Sequence, residues 1–282
     1  MKNDLLLRKL LFIYQMPKTG SQTVEATLQK CSLPHRIFRF HYLGPEMASR
    51  AKEAIHSSQA SQTWKQSATR QLEMAGRLNK AIRIRKFLRR CGLPIPKLEV
   101  ITGVRDLIGL ALSSVFQNSA YFAPNGEELN IEVCRETLLH GTMFRGLENW
   151  FDWELKLMLG IDVYQTVFPR QKGYTLFENH YARVLLYRME SLPNLPIMLR
   201  EFLRCEVPEV IHRNVGSAKG YADQYAYVRE HLRLPPAFVA ERYQTQIMKH
   251  FYSIKERKAF AARWSEEPWK TDVGLAAAVC KV

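Results

Sequence analysis

Leu11-Phe12-Ile13-Tyr14-Gln15-Met16-Pro17-Lys18-Thr19-Gly20-Ser21-Gln22-Thr23 is the stretch that decides the fold. Its first six residues make a short apolar run stopped by Pro17, as in a strand buried on both faces of a parallel sheet. Lys18 to Ser21 reads as a turn and Gln22 to Lys30 as a helix. Such a turn presents backbone N–H groups at a helix N-terminus, where the helix dipole favours a phosphate or sulfate. Gly20 lets the backbone approach an anion closely. Thr19, Ser21 and Thr23 bring hydroxyl donors, Gln22 completes the loop, and Lys18 brings a mobile cation. The nucleotide loop G-x-x-x-x-G-K-[ST] is absent, because no Gly-Lys pair occurs anywhere in the chain.

Outward from this unit, Ile37 to Tyr42, Leu98 to Val104 and Val184 to Met189 read as three more strands, with helical segments between them. That alternation predicts an α/β fold, a three-layer, mostly parallel sheet. Residues 46–96 read as a mainly helical insertion, Glu127 to Gly160 as two helices, and residues 191–282 as a helical C-terminal region. No linker divides the chain, so residues 1–282 are expected to form one domain.

Val100-Ile101-Thr102-Gly103-Val104-Arg105-Asp106 is a strand ending in Arg-Asp, and Ser113 follows two turns into the next helix. The forked guanidinium of Arg105 and the hydroxyl of Ser113 suit one phosphate; Ser114 is the alternative hydroxyl. His41 sits where the second strand ends, at the sheet edge where α/β proteins place ligands. It is the candidate base, with Glu46 in reserve and His35 less well placed. A structural, hydrogen-bonded histidine is the competing reading.

The chain carries 41 Lys and Arg against 27 Asp and Glu, a formal charge of +14. That excess favours anionic partners. Arg83, Lys86, Arg89 and Arg90 fall opposite Ala81, Ile84 and Leu88 on a helical wheel, giving a basic amphipathic helix over 77–90. A solvated face competes evenly there with a surface for a polyanion or an anionic membrane. Cys31, Cys91, Cys134, Cys205 and Cys280 are widely spaced and include no CxxC, so reduced thiols in a cytoplasmic protein are expected. No apolar run reaches the ~18 residues of a membrane helix, and the segment from Leu5 to Met16 lacks the features of a signal peptide.

Pro17-Lys18-Thr19-Gly20-Ser21-Gln22-Thr23 resembles the 5′-phosphosulfate loop of sulfotransferases that use 3′-phosphoadenylyl sulfate (PAPS). Arg105-Asp106 with Ser113 resembles, in part, the 3′-phosphate motif R-D-P-x-x-R-x-x-S of the same superfamily; Leu107 stands where Pro is common and Leu110 where the second Arg is. The second half resembles a bacterial family of capsular polysaccharide synthesis proteins. That likeness rests on Trp150-Phe151, on Gly160-Ile161-Asp162-Val163-Tyr164, on Phe168 with Lys172-Gly173-Tyr174, and on His250-Phe251-Tyr252-Ser253. The signature Asn-Lys-Trp-Tyr-Ser stands here as Glu148-Asn149-Trp150-Phe151-Asp152.

These resemblances imply a P-loop-NTPase-like sulfotransferase fold. They imply transfer of a sulfuryl group from PAPS to a hydroxyl of a carbohydrate or glycoconjugate, without a metal and without nucleic acid. Lys18 and His41 are then catalytic, and Lys18 to Thr23, Arg105 and Ser113 bind the donor. A late basic loop carrying Arg213 or Lys219 closes over the 3′-phosphate. Capsule glycan, lipid-linked sugar and other glycoconjugates are the acceptors implied, and peripheral contact with the inner membrane face is compatible. Trp150, Tyr164 and Tyr174 are candidates for stacking on the acceptor, with core packing preferred. The alternative is a non-catalytic protein that binds polyanions or membrane surfaces. A phosphotransferase, the third reading, is disfavoured by the missing Gly-Lys-[ST] loop.

Overall fold

The computed structural model describes residues 9–57, 75–76, 78–86, 97–122, 129–141, 143–207, 209–211 and 220–267. Five strands form one sheet: β1 (Leu10–Tyr14), β2 (Arg36–Phe40), β3 (Leu98–Val104), β4 (Tyr174–Glu178) and β5 (Ala182–Arg188). Their order is β2-β1-β3-β5-β4, parallel throughout except for the β4–β5 pair. The first of the expected strands ends two residues early and the second stops at Phe40, so His41 lies just beyond its strand.

The sequence reading did not contain β4. The strand runs from buried Tyr174 through half-buried Thr175, Leu176 and Phe177 to exposed Glu178, so it lacks the continuous apolar run that betrays the central strands. The turn after it carries the local signal instead. Asn179 Oδ1 accepts from the backbone N–H groups of Tyr181 and Ala182, the self-turning chemistry of an asparagine between two strands.

Apolar side chains cover both faces of the sheet. Phe12, Tyr14, Val100 and Leu186 join Trp150, Phe251 and Trp264 in one core. Leu11, Ile13, Ile101 and Leu185 pack on the other face against α1 (Ser21–Leu28) and the helix Leu195–Leu203. Of the 46–96 segment, α2 (Pro45–Ser57) and a helix over 78–86 are described. In the latter Ala81 and Ile84 are buried while Arg83 and Lys86 are exposed, as the wheel predicts; Arg77, Leu88, Arg89 and Arg90 lie outside the described residues.

The two helices read between Glu127 and Gly160 are Ile131–His140 and then a broken second piece: Met143–Glu148, a π-helix Phe151–Lys156, and a last turn Leu157–Leu159. Past residue 190 the described elements are helical, with Pro236 opening the helix Pro236–Tyr243, the position where a missing N–H costs nothing. Cys31, Cys134 and Cys205 are unbridged; Cys91 and Cys280 lie outside the described residues. Among the described residues no helix is long and apolar enough to cross a membrane.

Candidate functional site

The chain runs from β1 to β2 on one side, then returns across β1 to lay down β3 on the other. The reversal falls at the carboxyl ends of β1 and β3, the place where open α/β sheets take their ligands. The segment 15–23 leaves β1 at this point and Arg105 leaves β3 there. His41 leaves β2 one strand away. Topology alone therefore brings the three sequence-derived candidates to one edge.

The loop after β1 is bent by two left-handed residues, Lys18 (φ 65°) and Gly20 (φ 88°). The first carries a Cβ and costs on the order of 1 kcal/mol; glycine adopts the second freely. Neighbours impose the bend. Thr19 is fully buried, its hydroxyl donating to the Met16 carbonyl at 2.7 Å, while its own carbonyl accepts from Tyr187 Oη at 2.6 Å. The Tyr187 ring reaches Thr19 only because residue 103 is glycine: a Cβ there would stand 3.0 Å from the ring and 3.3 Å from Thr19 Cβ. Gly20 is the N-cap of α1 and supplies no side-chain cap.

Arg105 meets this loop directly. Its Nη1 donates to the Lys18 carbonyl at 3.3 Å across 87 residues of sequence. The adjacent Asp106 caps α3 (Leu107–Gln117) by accepting from Gly109 N–H at 3.0 Å. It is also tied from far along the chain: Asp106 Oδ1 accepts from Tyr243 Oη at 2.6 Å and Oδ2 from Trp264 Nε1 at 3.3 Å. Its backbone N–H donates to Glu190, whose other oxygen accepts from Tyr252 Oη at 2.9 Å. Burial raises the Glu190 carboxyl above its ordinary range, against the pull of these donors. Ser113 is half-buried on α3 and its hydroxyl makes no hydrogen bond among the described residues, whereas the Ser114 hydroxyl donates to the Leu110 carbonyl at 3.0 Å. Of the two hydroxyls, Ser113 is the one not committed to its own helix.

His41 is half-buried, and its Nδ1 lies 2.9 Å from the Gln15 carbonyl. A carbonyl oxygen only accepts, so in the neutral ring Nδ1 carries the proton and Nε2 holds the lone pair. The backbone here is clamped from the π-helix region. Trp150 Nε1 donates to the His41 carbonyl at 2.9 Å. Glu154 Oε2 accepts from Leu43 N–H at 2.6 Å, from Gly44 N–H at 2.7 Å, and from the Tyr14 hydroxyl. Burial pushes the Glu154 carboxyl up, and its three donors oppose that. Gly44 tolerates nothing larger, since a Cβ would stand 2.3 Å from the Trp153 carbonyl. Glu46 is half-buried in the first turn of α2. His35 is at the opposite end of the sheet, its Nε2 paired with Glu99 at 2.5 Å.

Arg213 and Lys219 lie outside the described residues. Trp150 and Tyr174 are buried in packed surroundings, Tyr174 donating to Glu201 at 2.7 Å, and Tyr164 is half-buried. Sequence reasoning missed Asp106 as an organising carboxylate, and it missed Tyr187, Glu154 and Glu190. Asp106 directly before an apolar helical run carried an N-cap signal. The other three gave none, because their partners are 62 to 172 residues distant in the chain.

Residues 128–253 match the sequence profile of a family described as "Putative capsular polysaccharide synthesis protein" (NKWYS). No curated protein and no solved structure matches the chain. The matched span is somewhat less than half of the 282 residues. It excludes the loop 17–23, His41 and Arg105, and it supplies most of what holds them: Trp150, Glu154, Tyr187, Glu190, Tyr243 and Tyr252.

Proposed function

We propose that the protein transfers a sulfuryl group from PAPS to a hydroxyl of a glycan or glycoconjugate, in the synthesis of a surface polysaccharide. The observation that carries this reading is the contact of Arg105 with the Lys18 carbonyl. It brings two separately read anion-binding motifs together at the carboxyl ends of β1 and β3. The family resemblance of the matched span supports a polysaccharide acceptor.

In this reading the 5′-phosphosulfate lies on the N–H groups of the 18–23 loop and the start of α1. The 3′-phosphate takes Arg105 and Ser113, and Lys219 is the proposed late closure. The acceptor oxygen attacks sulfur in line; one S–O bond forms as the bond from sulfur to the bridging phosphate oxygen breaks. The acceptor proton passes to His41 Nε2, whose ring the Gln15 carbonyl orients. Lys18 and the loop N–H groups stabilise negative charge on the departing adenosine 3′,5′-bisphosphate (PAP). Protein donors alone supply this stabilisation, so the reading assigns no metal.

Calorimetric titration with PAP in a chelator, free of magnesium, tests the reading. It expects saturable binding; no binding there, or binding that requires magnesium, would refute it. A second reading, a polyanion- or membrane-surface-binding protein, draws on the exposed Arg83 and Lys86 opposite the buried Ala81 and Ile84. It predicts binding to anionic surfaces with no selectivity for PAP.

A further inference from the structure

A cavity of about 460 Å³ opens between the segment carrying Tyr164, Phe168 and Arg170 and the chain around the helix Gln246–Phe251. All of its lining residues fall inside the family-matched span, and none belongs to the proposed donor site described above. It is nevertheless joined to that site. Gln244, on its wall, follows Tyr243, whose hydroxyl holds Asp106 beside Arg105. His250, also on the wall, precedes Phe251, whose carbonyl accepts from Arg188 at the carboxyl end of β5. Two strand spacings, about 10 Å, separate β5 from β1.

The lining has a definite chemistry. Tyr164 and Phe168 offer aromatic surface, set edge-on and tilted to the His250 ring at 5.2 and 6.4 Å. Gln244 and Gln246 offer amides, donors and acceptors suited to hydroxyl groups. Arg170 and Lys249 are exposed cations, and neither is paired with a carboxylate among the described residues. Arg170 instead fixes the wall, donating to the carbonyls of Lys249 at 2.6 Å and His250 at 3.2 Å. The nearby carboxylate of Asp162 is taken by Lys156 at 2.7 Å. Tyr164 Oη and His250 Nε2 are buried without a hydrogen-bond partner, a costly state that a polar ligand relieves.

Aromatic faces, amides and two uncompensated cations in one cavity fit a sugar ring that bears an acid. We infer that this cavity is an acceptor subsite for a carboxylate-bearing saccharide unit, lying a few sugar units from the hydroxyl that reacts. The inference rests on the glycan-acceptor reading and names its substrate class.

The test is calorimetric titration with a hexuronic acid tetrasaccharide and with a neutral glucose tetrasaccharide of equal length, in parallel with PAP. The uronate is expected to bind at least 10-fold more tightly than the neutral sugar. Lys249→Gln, which breaks no hydrogen bond assigned in the structure, should weaken uronate binding about 3-fold, and Arg170→Gln about 10-fold, in the range of exposed to hydrogen-bonded charge contacts. PAP affinity should stay unchanged in both variants. The double variant Arg83→Gln/Lys86→Gln, on the basic helix, should leave uronate binding as it is. Equal binding of the two sugars, an equal loss in the Arg83/Lys86 variant, or displacement of the uronate by equimolar inorganic phosphate would each overturn the inference. PAP binding without uronate binding would sink the inference alone; uronate binding that fades in the Lys249 variant, without PAP binding, would sink the sulfotransferase reading alone.

Discussion

The two phosphate-binding segments proposed for this protein are built in different ways. The 17–23 loop combines local and distant determinants: Gly20 supplies the left-handed turn and Thr19 bonds back to Met16 three residues away, while Tyr187 holds the Thr19 carbonyl from 168 residues on. The 105–113 segment is shaped from a distance. Asp106 is gripped by Tyr243 and Trp264 and, through Glu190, by Tyr252, at separations of 137, 158 and 62 residues for the successive bonds. A local motif survives as a readable string. A segment held by tertiary contacts leaves less of itself in its own string. Leu107 and Leu110 are both fully buried, so they contribute packing rather than anion contacts.

The largest effect should come from the proposed base. His41→Ala is expected to lower turnover by about 10²- to 10⁴-fold, the usual worth of a positioned base, while PAP binding measured by calorimetry changes little. Full turnover in that variant would move the role to Glu46. Asp106→Ala should strike stability instead. It leaves Tyr243 Oη, Trp264 Nε1 and Gly109 N–H without their acceptor, a loss of about 3 kcal/mol at roughly 1 kcal/mol each. At about 2–4 °C per kcal/mol for a chain of this size, the melting temperature should fall by roughly 6–12 °C. A fall under about 2 °C would show that the second segment is as locally determined as the first.

Lys18→Ala sharpens the contrast from the other side. It should cost about 10²-fold in turnover, as loss of a transition-state donor does; alanine keeps the Cβ and so the same left-handed cost, and the melting temperature should hold. A large drop in melting temperature with normal turnover would reverse the assignment. Tyr252→Phe is the mildest test. Losing one hydroxyl donor to Glu190 should cost about 1 kcal/mol of stability and weaken PAP binding through Arg105, with the 17–23 loop undisturbed. Comparing PAP affinities of the Tyr252→Phe and wild-type proteins reads this out; identical values would cut the second segment loose from the C-terminal helices.

What could be read in the sequence follows the same division. The buried parallel strands declared themselves as apolar runs, and the loop, Arg105 and His41 followed from where those strands end. β4 escaped because Thr175 and Glu178 interrupt its apolar residues, whereas β2, the other edge strand, was legible in Ile37, Phe38 and Phe40; Asn179 marked the turn after β4. Trp150 stood out as a signature residue, yet only the fold reveals what it does: it pins the His41 carbonyl. Glu154 gave no local cue, since a carboxylate inside a helical segment reads as solvated, and its three partners come from β1 and the β2 exit. Charge placement was half legible, with Arg83 and Lys86 exposed as the wheel requires.

The central claim is that the two segments bind the two ends of one nucleotide, and paired titrations of PAP and AMP test it most directly. AMP lacks the 3′-phosphate that the proposed reading assigns to Arg105. In Arg105→Ala the account predicts PAP affinity reduced about 10- to 150-fold, the loss of a charge-assisted contact of roughly 1.5–3 kcal/mol, with AMP affinity unchanged. Equal losses for PAP and AMP, or no loss for either in a variant that melts like the wild type, would contradict it.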